Sequence, residues 1–285
     1  MSKSWRRLRM GLQTLAAPLL GLRRQGFFIP YRYADSVASH QPVYEPVADL
    51  FAASDLTFGN LLEEADSHAE ALSRIAAERK AGGSGPRFDQ SWFPTLDAVA
   101  AYTLVRRLKP ARIIEVGSGH STRFLARAAA DAGLETTITA IDPQPRATLA
   151  GLPIRFVPAV MQTADPAIFA TLQPGDILFI DSSHILMPGT DVDWLFSRVL
   201  PLLPAGVVVH IHDIFLPDDY PRSWAWRGYN EQQAVVPMLI GGFRPLFASH
   251  YVATRMINRV HGSIVGRLPQ AEEALPASLW LEKQA

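Results

Sequence analysis

The chain of 285 residues contains no cysteine, which excludes disulfides, thiolate-held metals and cysteine nucleophiles. It also lacks any net charge, because 27 Lys and Arg balance 27 Asp and Glu. No overall field therefore draws it to nucleic acid. The apolar stretch "MGLQTLAAPLLGL" at 10–22 is interrupted by Pro18 and falls short of the ~20 residues that span a bilayer. A serine-hydrolase elbow, G-x-S-x-G, is absent, and so is the Gly-Lys-Ser/Thr ending of a phosphate-binding P-loop. There is no internal repeat and no long low-complexity tract.

What is present is a chain with 48% apolar residues, enough for one large domain with an extension. Residues 1–33 carry Lys3, Arg6, Arg7, Arg9, Arg23, Arg24 and Arg32 and no acid. A basic stretch before an apolar one has the order of a signal peptide, but Arg23 and Arg24 follow at once and no small-residue cleavage site is present. The plain reading is a helix packed on the main domain, in a cytoplasmic protein. The alternative is weak peripheral contact with an anionic inner-membrane surface through residues 1–33. In "LLEEADSHAEALSRIAAERK", 61–80, residues Leu61, Leu62, Ala65, Ala69, Leu72, Ile75 and Ala76 share one helical face. "AGGSGPR", 81–87, then breaks the pattern as a linker. Residues 1–87 thus form a helical N-terminal extension, and residues 88–285 the main domain.

From Phe88 the chain alternates. "TLDAVAAYTLVRRL" predicts a helix and "ARIIEVG" a buried strand. "STRFLARAAADAG" predicts a helix with Ser121 or Thr122 near its cap and Gly133 as its stop. "TTITAID", "IRFVPA", "DILFID" and "GVVVHIHD" read as strands, with "DVDWLFSRVLPLL" a helix among them. "NEQQAVVPML" starts a helix, with Asn230 and Gln233 spaced as a capping box. "FRPLFAS" and "YVATRMI" close the domain as strands. This alternation predicts a doubly wound, mostly parallel α/β sheet, in which ligands lie beyond the carboxyl ends of the strands.

The polar clusters fall at those ends. "IIEVGSGHSTRFL" is strand, tight turn and helix, with Glu115 just inside the strand. Gly117 and Gly119 let the backbone turn sharply, and the new helix offers unpaired N–H groups. The third glycine of the dinucleotide fingerprint is replaced by Thr122. The next strand ends in Asp142, where a carboxylate can accept both hydroxyls of a ribose or cap the following turn. "DSSH" holds Ser, His and Asp, but adjacency in sequence is not triad geometry. In "HIHD", His210 and His212 point to one face of the strand and Asp213 to the other or into the loop. His210 reads as a buried histidine bonded to backbone. The H-x-H comes too late in the chain for a metal-dependent (β/α)₈ hydrolase.

EVGSGHST followed by AID and DILFIDSSH resembles motifs I, II and IV of the class I S-adenosylmethionine (SAM) dependent methyltransferases. "FPTLDAVAAYTLVRRLKPARIIEVGSGHST" and "HIHDIFLPDDYP…YNEQ" are similar to the bacterial methyltransferase family 24, with catechol and macrolide-sugar O-methyltransferases more distant. The resemblance covers roughly residues 88–260. It implies a Rossmann-like seven-stranded sheet with a reversed last strand. It places Glu115, Gly117, Ser118, Gly119, His120 and Ser121 around SAM, with the two glycines under its methionine part and Asp142 on its ribose. It further implies a divalent cation, Mg²⁺ or Mn²⁺, on Asp181, His212 and Asp213. His212 departs from the carboxylate of those relatives, which disfavours Mg²⁺ and favours Mn²⁺, Fe²⁺ or Zn²⁺, or leaves His212 as a metal-free base. His184 is a second base candidate, or the cap of the helix that follows it.

The implied activity is methyl transfer to a hydroxyl of a small or glycosylated metabolite, with Asp181, His184, His212 and Asp213 as catalytic residues. A fold relative with other chemistry, as cephalosporin hydroxylase resembles this group, and a non-catalytic SAM-binding or membrane-edge partner protein are the alternatives. The loop "FLPDDYPRSWAWRGYNEQ", 215–232, reads either as a lid over an apolar or sugar-ring acceptor or as an aromatic cluster packed on the N-terminal helices. Glu231 lies in the first turn of a helix, where a carboxylate is favoured without any catalytic role.

Overall fold

Seven strands form one sheet in the order β3-β2-β1-β4-β5-β7-β6. The computed structural model describes residues 29–81 and 85–284, with positions 5, 8, 9, 11, 12, 14, 16, 20, 26 and 27. Lys3, Arg6, Arg7, Arg23 and Arg24 of the basic segment, and residues 82–84 of the linker, lie outside the described residues. Among the described residues no helix is long and apolar enough to cross a membrane.

The strands are β1 (Arg112–Val116), β2 (Thr137–Ile141), β3 (Ile154–Val157), β4 (Ile177–Ile180), β5 (Val208–Ile211), β6 (Phe243–Ala248) and β7 (Leu279–Lys283). β1 to β5 pair in parallel, while β7 runs antiparallel between β5 and β6. Every residue of β4 and β5 is buried, as expected for strands covered on both faces and therefore apolar but for His210. The parallel direction brings the carboxyl ends of β1, β2, β4 and β5 to one edge, where the polar clusters begin.

The helices are α1 (Glu45–Ala52), α2 (Asp55–Ser67), α3 (Ala69–Lys80), α4 (Thr95–Leu108), α5 (His120–Asp131), α6 (Asp191–Trp194), α7 (Glu231–Ile240), α8 (Ser249–Arg255) and α9 (Ile257–Gly262). α5 ends as its glycine predicts: Gly133 has φ +63, and Leu134 N–H donates to the Ala129 carbonyl, the Schellman closure of a helix. The N-terminal helices share the main core. Phe51, Phe58, Leu61, Leu72 and Ile75 are buried in one apolar cluster with Phe179, Phe247 and Trp280.

Four local expectations need correction. The 61–80 pattern is two helices, broken at His68, whose φ −101 and ψ 10 leave the helical region. "DVDWLFSRVLPLL" gives only one α turn before a π turn at Leu195–Val199 and a 3₁₀ turn at Leu200–Leu202; Pro201 has no N–H to continue an α-helical ladder. The Asn230 capping box does not form, because the Asn230 side chain accepts from Leu186 N–H at 2.7 Å instead. "YVATRMI" is helical: Val252, Met256 and Val260 are buried at a spacing of four and Tyr251 meets Phe51 and Phe58 edge to face. The reversed strand is β7, built from "LWLEK" near the chain's end.

Candidate active site

The turn after β1 is tight for a reason internal to the fold. Gly117 has φ +83, and a Cβ there would stand 2.1 Å from the Asp181 carbonyl oxygen. The close approach is thus to the end of β4 rather than to open space. Gly119, at φ +155, would meet its neighbours only at 3.4 Å, so backbone conformation alone demands glycine there. Thr122 Oγ1 accepts from Gly119 N–H at 2.9 Å and closes the turn. Ser121 Oγ instead donates to Glu115 Oε1 at 2.6 Å. Glu115 is fully buried, and burial pushes its carboxyl up to about 8 against the pull of the Ser121 and Thr122 hydrogen bonds. His120 is lowered to about 4 by burial and by Arg87 and Arg123.

Asp142 takes the capping alternative in this structure. Its Oδ2 accepts from Ser118 Oγ at 2.9 Å and its Oδ1 from Gln144 N–H at 2.7 Å. It is buried behind Ser118 and does not itself face the cavity that opens at this edge of the sheet.

That cavity has a volume of about 1080 Å³, slightly above the ~300–1,000 Å³ of ordinary small-molecule sites and sufficient for a cofactor beside a second ligand. Ser118, His120, Ser121 and Arg146 form one side. Asp181, His184, His212 and Asp213 form its polar floor, and Trp224, Trp226, Arg227 and Tyr229 line another wall. The four floor residues named from sequence are therefore brought together.

His184 is their centre. Its Nε2 lies 3.5 Å from Asp181 Oδ1 and 3.4 Å from Asp213 Oδ2, and its Nδ1 lies 2.8 Å from Glu231 Oε2. Glu231, wholly buried, also accepts from Ser182 Oγ at 3.0 Å. Burial opposes charge on His184, but Asp181, Glu231 and Asp213 outweigh it and raise the imidazole well above its usual value. Burial likewise works against ionisation of Asp181, yet His184, His212 and Arg146 hold it down at about 2. His184 and Asp213 both have left-handed backbone, at φ +61 and +55, a strain of order 1–3 kcal/mol each that persists where surroundings over-determine it.

His212 points elsewhere. Its Nε2 lies 3.1 Å from the Trp92 carbonyl; a carbonyl only accepts, so this nitrogen carries a proton. Burial lowers its basicity, but Asp213, Asp181 and Asp97 raise it overall. His210 is wholly buried and structural, as its position on the strand suggests. Its partner is the Ser278 hydroxyl at 2.8 Å, where backbone was expected, and it stacks on Phe179 at 3.6 Å between ring centroids.

The cofactor side suits SAM: Ser118 of the glycine turn and His120 and Ser121 at the start of α5 line the cavity, and Nδ1 of His120 is buried with no hydrogen-bond partner among the described residues. The expected cation set does not fit. His212 presents an N–H to Trp92, and the imidazole of His184 stands between the other two ligands. Among the described residues, no three His, Asp or Glu side chains are grouped to hold a metal ion.

Sequence reasoning missed Trp92, Arg146, Arg227 and, above all, Glu231. Residues 184 and 231 are 47 apart in the chain, and nothing local to either announces the pairing. The aromatic loop divides between its two readings. Trp224, Trp226 and Tyr229 line the cavity with the Arg227 guanidinium 3.8 Å from the Trp224 ring. Phe215, Tyr220 and Ala277 form a small buried cluster behind them. The contacts with the N-terminal segment are polar, from Tyr44 N–H to the Pro217 carbonyl and from Gln41 N–H to Asp219 Oδ2, each 2.8 Å.

A family model described as a methyltransferase domain matches residues 114–214, a segment that holds the glycine turn and all four floor residues but not Glu231. No curated protein sequence matches the chain. Among solved structures, the plantazolicin methyltransferase BpumL in complex with a triazolic desmethylPZN analog and SAH is 14% identical, covers 79% of this chain and 98% of its own, and has a TM-score of 0.44. The SAH-bound Podospora anserina methyltransferase PaMTH1 is 14% identical over 91% of this chain and 100% of its own, with a TM-score of 0.42. A cmcI structure with Mg and SAM is 14% identical over 64% of this chain and 68% of its own, with a TM-score of 0.35.

Proposed function

We propose that this chain, whose residues 114–214 match a model described as a methyltransferase domain, is a SAM-dependent O-methyltransferase for a hydroxyl of a small or glycosylated metabolite. The observation that carries this reading is His184, an imidazole facing a large cavity with its far nitrogen fixed by a buried carboxylate.

An alcohol is a poor nucleophile until its proton has somewhere to go. In its neutral form His184 can accept that proton at Nε2. Asp181 and Asp213, at 3.5 and 3.4 Å, and Glu231, at 2.8 Å on Nδ1, then stabilise the imidazolium so formed. Glu231 also sets the ring's orientation and its tautomer. On the other side, Ser118, His120, Ser121 and Arg146 would hold the cofactor, with Asp142 reaching it once the Ser118 hydroxyl turns away. Bound SAM supplies an activated methyl group, and the protein contributes chiefly orientation and exclusion of water. The cavity wall of Trp224, Trp226 and Tyr229 suits a ring-shaped acceptor, as flat aromatic faces pack well against sugar and aromatic rings. No cation is needed in this scheme.

Calorimetric titration of the purified chain with SAM, in the presence of chelator, tests the cofactor. Binding at micromolar strength, weakened about tenfold or more in Asp142→Ala, is the expected result. An unchanged affinity in that variant would leave Asp142 as a turn cap only, and no binding by the parent chain would overturn the proposal.

A further inference from the structure

The three carboxylates around His184 ask for positive charge, and the resemblance assigns the place between two of them to a divalent cation. We infer that His184 itself occupies that place, and that Glu231 is the positioning residue that keeps it there. The inference rests on the proposed function only for taking this cavity as the transfer site.

Hydrogen-bond inventory supports it. Carboxylates accept and do not donate when ionised, so an imidazole hydrogen-bonded to Glu231 at Nδ1 and facing Asp181 and Asp213 as ion-pair partners at Nε2 suits all three only with a proton on each nitrogen. Such a ring presents an N–H into the space where an ion would need oxygen ligands at roughly 2.0–2.6 Å. The loop that carries it is pinned from behind. Asn230 N–H donates to the His184 carbonyl at 3.1 Å, and Asn230 exchanges two hydrogen bonds with Leu186. Glu231, the next residue, is therefore carried to the imidazole by the same contacts. His212, the third expected ligand, adds a second N–H donor turned to Trp92 and lies 3.6 Å from Asp213 Oδ1. The floor is thus closed by imidazole N–H groups, with the carboxylates facing them.

It follows that the carboxylates form a latent cation site, opened by removing the imidazole. The test is Mn²⁺ titration of the full chain, followed by electron paramagnetic resonance and calorimetry, with SAM binding measured on the same samples. The unaltered chain is expected to bind no stoichiometric Mn²⁺ up to millimolar concentration. His184→Ala is expected to gain one Mn²⁺ per chain, with affinity raised about tenfold or more, and to lose it again when Asp213→Asn is added. Thermal unfolding shows whether His184→Ala still folds; should it not, Glu231→Gln, which frees the ring to turn away or to offer a lone pair, takes its place with the same expected gain.

One Mn²⁺ per unaltered chain, lost in Asp213→Asn, would overturn the inference. Folded variants that gain no Mn²⁺ would overturn it equally. SAM binding is read separately, so its loss would count against the methyltransferase proposal and leave the Mn²⁺ result to decide this one.

Discussion

His184 and Glu115 show how burial and neighbours divide the work of two titrating groups. Burial disfavours charge on both, but the carboxylates around His184 reverse the effect and raise its imidazole, whereas Asp181 and Asp142 add to the effect on Glu115, which is pushed up to about 8 and kept neutral at pH 7. A histidine raised in this way stays charged above 6.5 and must lose its proton before it can act as a base. Turnover is therefore expected to rise with pH through that elevated value. The stability its ion pairs contribute is complete below 6.5 and lost as pH rises through the same value. His184→Gln should lower kcat by ~10²–10⁴-fold and abolish this limb of the pH profile while sparing SAM affinity; a pH-rate series with calorimetry checks both. For Glu115 the sign is opposite. Between 4.5 and about 8 the folded chain binds the extra proton, so stability falls with rising pH across that window. Glu115→Gln keeps an acceptor for Ser121 and should melt higher than the parent, by a margin that widens from pH 4.5 to 8 in scanning calorimetry.

At the scale of elements, the site is an intersection of two strand ends. The turn after β1 and the end of β4 touch at Gly117, where the carbonyl of Asp181 fills the space a side chain would take. Gly117→Ala should therefore cost about 3 kcal/mol or more, from positive φ and the backbone clash together, and displace Asp181 from the floor. Urea unfolding would show the lost stability, and a smaller loss for Gly119→Ala, which meets no such obstacle, would separate crowding from backbone strain. The first strands, the Gly133 helix stop and the glycine turn were legible because their signals are local: an apolar run, a Gly at the stop, a polar residue at a strand end. "YVATRMI" was misread because β-branched residues suit a strand as well as a buried helix. Only the docking of Tyr251 on Phe51 and Phe58 decides between them.

Across the whole molecule, the N-terminal helices and the sheet share one core. Phe58 on α2 meets Phe51, Phe247 and Tyr251 edge to face, so it joins the extension to β6 and α8. Phe58→Ala is expected to cost about 3–5 kcal/mol and to lower a single unfolding transition seen alike by circular dichroism and tryptophan fluorescence. Two separate transitions would instead make residues 45–80 an independent unit. β7 works in the same long-range way. Asp97 on α4 accepts from Ala277 and Ser278 N–H groups at 3.1 Å each, and Ser278 in turn holds His210.

By itself the sequence determined the class of sheet, the glycine turn, and the gathering of Asp181, His184, His212 and Asp213 at one edge. These follow from strand direction, because parallel strands put all their carboxyl ends on one side. The pairing of Glu231 with His184, the turning of His212 toward Trp92, the retreat of Asp142 behind Ser118 and the insertion of β7 were decided only by the tertiary structure. Each depends on residues far apart in the chain meeting where they are buried, and there an unpaired polar group costs so much that its partner is chosen by packing.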